Sequence, residues 1–178
     1  MPKSIRTGRR DWLWGIALGA LVLVGLAIAF VALTPSNSKI FASVDGVDCE
    51  SGERLEYHVH GWLAIMVNGE QRKLEPNTGI RANECIFWLH THDDTGIIHI
   101  EAPQERDFTL GQFFAVWGQP LSSTQLLDQT VDAGHQITAT INDEPFTGEP
   151  STIVLRDQEA IVLQYGPPFG APPVPPFQ

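Results

Sequence analysis

The chain has 178 residues, about one domain's worth, with 21 acidic against 11 basic residues and a net charge of −10. Without a basic patch or basic helix, such a surface repels phosphate backbones, which excludes nucleic acid as a partner. No Gly-rich phosphate loop and no GxSxG is present, so phosphoryl transfer and serine hydrolysis have no motif to rest on.

Residues 1–11 carry Lys3, Arg6, Arg9 and Arg10 against Asp11 and read as a basic cytoplasmic N-terminus. Residues 12–33 (WLWGIALGALVLVGLAIAFVAL) contain no charge. At 1.5 Å per residue the run is long enough for a bilayer core of roughly 30 Å, and it is expected to be a single transmembrane helix. A cleaved signal peptide is the competing reading, although its apolar region normally spans only about 7–15 residues. Both readings put the rest of the chain outside the membrane, since the basic flank stays in the cytoplasm. Gly15 and Gly19 have the GxxxG spacing that lets a membrane helix approach a partner helix closely. From residue 34 onward 20 acidic residues face 7 basic ones.

Residues 34–43 read as a linker, 44–165 as the extracytoplasmic domain and 166–178 as a Pro-rich tail. The tail is expected to be extended, with Phe169, Val174 and Phe177 available to a neighbour. Within the domain, 55–67 is a strand pattern followed by Asn68-Gly69, a hairpin turn signal, with 71–74 as the returning strand. Residues 84–92 and 97–100 form two further apolar runs around the turn Asp93-Asp94-Thr95-Gly96. Thr109 with Gln112 makes a capping box, and Phe113, Phe114, Val116 and Trp117 follow at helical spacing up to Gly118. Residues 123–128 are expected to add a second short helix, and 137–141, 152–155 and 160–165 to add strands. The order of strands, helix and strands predicts an α+β fold, mostly β, of β-grasp type or a small sandwich with one or two short helices.

Cys49 and Cys85 stand 36 residues apart, and in an oxidising compartment they are expected to form a disulfide. Thiolate ligation of a metal is the alternative. The spacing is not CxxC, so a thioredoxin-like role has no support.

Five of the six histidines fall in two windows, His58 and His60 in the first, and His90, His92 and His99 in the second. On a strand, side chains alternate, so each HxH pair shares a face. If Asp93–Gly96 is a four-residue loop, His90 lies opposite His99 and His92 opposite Ile97, which gathers three imidazoles on one face with Glu101 beyond. Should the His58/His60 strand run beside this hairpin, three to five imidazoles share a small volume and make a ligand set for zinc or copper, the expected three being His58 or His60 with His90 and His92, and His99 either a fourth ligand or a residue that orients one. A metal-free proton-transfer or pH-sensing cluster and half-buried structural histidines are the other readings. His135, in a loop-like stretch, reads as an ordinary surface residue. Asp93 and Asp94 either form an acidic turn or orient a ligand imidazole through its other nitrogen. Glu101 is the candidate base if the site is catalytic. Met66 shares the histidine face, where a thioether favours copper, but a core methionine is the commoner explanation. Trp62 and Trp88 also project with the histidines by alternation.

The stretches HVHGWLAIMVNGE, CIFWLHTHDDTGIIHIEAP and FTLGQFFAVWG resemble an uncharacterised family of bacterial membrane-anchored or secreted proteins. That resemblance spans roughly residues 49–121; it implies extracytoplasmic placement and carries over no catalytic role. The residues therefore point to a membrane-anchored metal-binding module, with a three-histidine metalloenzyme as the second reading. A metal-free adaptor, binding membrane proteins through its anchor or Pro-rich tail, is the third.

Overall fold

The computed structural model describes residues 39–177. The basic terminus, the expected transmembrane helix at 12–33 and the first half of the expected linker lie outside the described residues. Among the described residues no helix is long and apolar enough to cross a membrane.

The expectation of an α+β domain, β-grasp-like or a small sandwich, is corrected to a mostly β domain. Thirteen strands stand against one eight-residue α-helix and one 3-10 turn among the described residues. The strands are β1 (Ile40–Val44), β2 (Val47–Glu50), β3 (Tyr57–Val67), β4 (Glu70–Arg72), β5 (Ile80–Arg81), β6 (Cys85–Phe87), β7 (Leu89–His90), β8 (Ile97–Ala102), β9 (Gln125–Leu126), β10 (Gln129–Thr130), β11 (Gln136–Ile141), β12 (Glu144–Phe146) and β13 (Ala160–Gly166). They make a seven-stranded sheet ordered β12-β11-β13-β3-β8-β7, with β4 also on β3. A four-stranded sheet runs β1-β2-β6-β5, and β9 and β10 pair by themselves. Every pairing is antiparallel except β3 with β13.

Local chemistry accounts for the turns. Asn68 and Gly69 both have positive φ and reverse β3 into β4, as a two-residue type I′ hairpin requires. Asp45-Gly46 and Asn142-Asp143 do the same between β1 and β2 and between β11 and β12. The first of these lies at the edge of the expected linker, so the folded part begins at Ile40 rather than at residue 44. The helix α1 (Leu110–Trp117) has the expected capping box from Thr109 and Gln112, and it ends on Gly118 in the left-handed region. The helix expected at 123–128 is instead the β9–β10 hairpin. Ser122 Oγ accepts from the backbone of Thr124 and Gln125, and Leu127 takes φ 54 at the turn. The strand expected at 152–155 is a 3-10 turn at Pro150–Thr152 followed by a single bridge from Val154 to Thr109.

The two faces of the seven-stranded sheet have different fates. Alternation sends Leu63, Ile65, Ile98, Ile100, Leu89, Ile161 and Leu163 to one face, all at most 1% exposed. Phe113 and Phe114 of α1 and Val47, Cys49 and Phe87 of the smaller sheet join them in the main core. The other face carries a small apolar group, Trp62, Ala64, Met66, Ala160 and Val162, packed with Ile97 and Phe177. The Pro-rich tail, expected to be free for a neighbour, thus returns its Phe177 to the domain's own sheet, while Phe169 and Val174 stay exposed. Met66 is a core residue of this group. Trp88 belongs to the main core and meets Phe108 edge to face.

Cys49 and Cys85 form a disulfide with their Cα atoms 5.4 Å apart, joining β2 to β6. It anchors the start of the domain beside the chain that leads into β7.

Candidate metal centre

The histidines occupy the same face as Trp62 and Met66, toward the opposite end of β3. The register brings them together. His60 lies opposite His99 on β8, and His99 lies opposite His90 on β7, so three imidazoles form one row across three strands. His58 lies opposite Glu101 in the adjacent row. His92 follows β7 on the same side, with its ring 4.5 Å from that of His99 and 5.0 Å from that of His90. All five histidines expected to share a face therefore do so.

The run expected as one strand at 84–92 is broken because Trp88 changes sheets. Its amide bonds to Asp48 while its carbonyl accepts from Glu101. Phe87 thus belongs to the smaller sheet and His90 to the larger. On the outer side, Thr91 donates its amide to Thr78, and Phe87 donates to Gly79. Gly79 has φ +78, and a Cβ there would stand 2.4 Å from the Leu89 carbonyl and 3.1 Å from His90 Cβ. Only a glycine lets this segment lie against the strand that carries His90.

His90 is fully buried. Its Nδ1 is 2.9 Å from the Phe87 carbonyl, which as an acceptor fixes the proton on Nδ1. Nε2 then presents a lone pair, and it is buried without a hydrogen-bond partner. Such an orphaned buried nitrogen costs roughly 1–3 kcal/mol, and a ligand imidazole oriented by a backbone carbonyl is a usual arrangement in metal sites. His99 Nδ1 lies 3.3 Å from Glu101 Oε1. The same oxygen is 3.1 Å from His58 Nε2 and 3.9 Å from His90 Nε2. His58 and His60 face each other with their Nε2 atoms 3.0 Å apart.

Electrostatics keep three of the imidazoles in ligand form. Burial pushes His90 down to about 4, against the pull of the Phe87 carbonyl. Burial, and then the imidazoles of His90, His60, His92 and His58, push His99 down to about 3. His60 is lowered by burial and by His58. These rings are neutral at pH 7, the form that binds metal. Glu101, 2% exposed, is pushed up to about 7, first by burial and then by Glu53, against His92 and the Arg54 backbone.

Three groups have donor atoms that all lie within 4.8 Å of one another. They are His58/His60/His99, His90/His92/His99 and Glu53/His90/Glu101. The site therefore contains histidine groups able to hold a metal ion. Glu53 was not foreseen from the sequence. It sits in the loop after β2, with Oε1 3.6 Å from His92 Nε2. The loop is fixed by Arg54, whose guanidinium pairs with Glu50 at 2.5 Å, while Glu50 also accepts from Trp88 Nε1. The disulfide at the neighbouring Cys49 was the one sequence signal for this approach.

Of the two readings of Asp93 and Asp94, the turn reading describes their contacts. Asp93 Oδ1 accepts from the Thr95 amide at 2.9 Å, and Asp94 pairs with Lys73 at 2.7 Å. The first contact closes the turn and the second ties it to the segment after β4, and neither orients an imidazole. His90, His92 and His99 are supported instead by the Phe87 carbonyl, Glu53 and Glu101. His135 stands apart, stacked on Tyr165 and bonded to Asp132.

Beside the cluster is a surface cavity of about 360 Å³ lined by His60, His99, Ile97, Asp157, Gln158 and Phe177. It gives small molecules a route to two of the imidazoles. No family model, curated protein or solved structure matches this chain.

Proposed function

We propose that this protein is a membrane-anchored, extracytoplasmic protein that binds a transition metal, copper or zinc, through its histidine cluster. The observation that carries the reading is the buried Nε2 of His90, unpartnered and with its tautomer set by Phe87, in a row with His99 and His60. Without a metal, that nitrogen and its crowded neutral neighbours are a net cost to the fold. With one, they supply nitrogen ligands of the kind that both zinc and copper accept. The uncharged run at 12–33 behind a basic flank supports a single-pass anchor with the domain outside, and the disulfide fits an oxidising compartment. Membrane proteins are the partners this anchor would meet.

The test is elemental analysis of the full chain after export, next to a His60→Ala/His90→Ala/His99→Ala variant that removes the cross-strand row. Near-stoichiometric copper or zinc in the parent and none in a folded variant supports the reading. Absence of metal from the parent, even after reconstitution, overturns it.

The cavity at His60 and His99 favours metalloenzyme chemistry as a second reading. There Glu101, whose Oε1 lies beside the ligand nitrogens of His58 and His90, would take or hold a proton. Turnover of a small substrate that disappears in Glu101→Gln while metal content is kept would favour this reading over a storage or carrier module.

A further inference from the structure

The five imidazoles do not form a single coordination shell. A metal with bonds of about 2.0–2.1 Å keeps its ligand atoms within roughly 4.2 Å of one another. Among the described residues, the all-histidine groups that approach this spacing are two, and they meet only at His99. The ring of His99 lies 4.5 Å from His60 on one side and 4.5 Å from His92 on the other. One ion can take either triad, and it would leave the opposite histidine pair beside a dication with nothing to bind.

The geometry points to a two-metal centre, with one ion on His58 and His60, a second on His90 and His92, and His99 and Glu101 between them. This rests on the metal-binding reading above and adds to it the number of ions and their division. Glu101 Oε1 is within ligand-to-ligand spacing of both halves, 3.1 Å from His58 Nε2 and 3.9 Å from His90 Nε2. A carboxylate so placed is suited to bridge two ions, and bridged pairs typically stand about 3.5–4 Å apart. Glu53, in the group with His90 and Glu101, gives the second ion another oxygen ligand. The two carboxylates also offset part of the charge of two divalent cations, which five neutral imidazoles do not. The halves differ in access. His90 is fully buried, whereas His60 opens to the surface cavity. The ion on His58 and His60 is therefore the one that meets small molecules.

The experiment is a Cu(II) titration of the metal-free full chain in detergent, followed by elemental analysis and electron paramagnetic resonance. Two equivalents should bind, and filling the second should produce a half-field signal from two coupled spins. His58→Ala/His60→Ala and His92→Ala alter partly exposed or exposed side chains and are expected to fold, as circular dichroism would verify. Each variant should bind one equivalent tightly, without the half-field signal. One equivalent in the parent chain, or two without spin coupling, overturns the two-metal centre and leaves the metal-binding reading standing. No tight binding at all overturns both.

Discussion

Replacing His99 by leucine separates a metal-binding cluster from a merely structural one. His99 is the member common to both histidine triads and occupies the middle of the row across β3, β8 and β7. In the metal-free protein its ring is neutral, half-buried and crowded by four imidazoles, with one long hydrogen bond of 3.3 Å to Glu101. Losing that bond costs about 0.5–1.5 kcal/mol, and burying leucine in a central strand returns a similar amount. The metal-free variant should therefore match the parent to within about 1 kcal/mol. The metal response should differ. At free metal 100 times the dissociation constant, binding stabilises the parent by about 2.7 kcal/mol. For a folded unit of this size that raises Tm by roughly 6–10 °C. Loss of an oriented partner to a ligand already weakens metal sites by about 10–100-fold, so loss of a shared ligand should bring the stabilisation below about 0.5 kcal/mol. The assay is thermal unfolding by near-UV circular dichroism, with and without zinc. A variant destabilised by about 2 kcal/mol or more without metal, yet still raised by zinc as much as the parent, would refute the reasoning.

Other perturbations give separate expectations. Cys49→Ala/Cys85→Ala opens a loop of 36-residue separation, and chain entropy sets the cost at about 4 kcal/mol. Urea unfolding of the paired variant measures it, and metal affinity should fall too because Glu53 loses its fixed position beside His92. Gly79→Ala forces a left-handed residue to place a Cβ 2.4 Å from the Leu89 carbonyl. It should destabilise the domain by more than about 2 kcal/mol and loosen the strand bearing His90, and the same urea titration with a zinc competition assay reads both. The pH profile of the metal-free domain should peak near pH 6.5. As pH falls from 6.5, the unfolded chain protonates histidines that His90 and His99 do not protonate until about 4 and 3, so stability is lost. Glu101, raised from 4.5 to about 7, works the other way, losing stability as pH rises from 4.5 through 7. With His90 and His99 against one carboxyl, and His60 lowered as well, the net slope between pH 4.5 and 6.5 is positive. Tm measured across that window should rise with pH, and a flat or falling profile would contradict the burial of the two imidazoles.

The site was legible in the sequence to the extent that it follows from alternation and turn length. A four-residue turn at Asp93–Gly96 is enough to set His90 opposite His99, and period two is enough to pair His58 with His60. Which strand lies next to the hairpin is a long-range fact, and only the fold puts His60 against His99. Glu53 and the Glu50–Arg54 pair were hidden for the same reason, since the loop that holds them reaches the cluster through tertiary packing. Elsewhere, short segments defeated periodicity. Residues 123–128 are too few to show a helical or strand repeat, and a serine-closed turn decided for a hairpin. Asp45-Gly46 was a readable hairpin signal, but the polar run at 34–39 gave the residues before it the look of a linker. Asp93 followed its local partner, Thr95, and Asp94 a distant one, Lys73, and neither followed the nearby imidazoles.

The most direct measurement is X-ray absorption at the edge of whatever metal the exported full chain carries. A shell of nitrogen ligands at about 2.0–2.1 Å with the outer scattering of several imidazoles is the predicted result. A shell of oxygen alone, or a chain that holds no metal, would contradict the account.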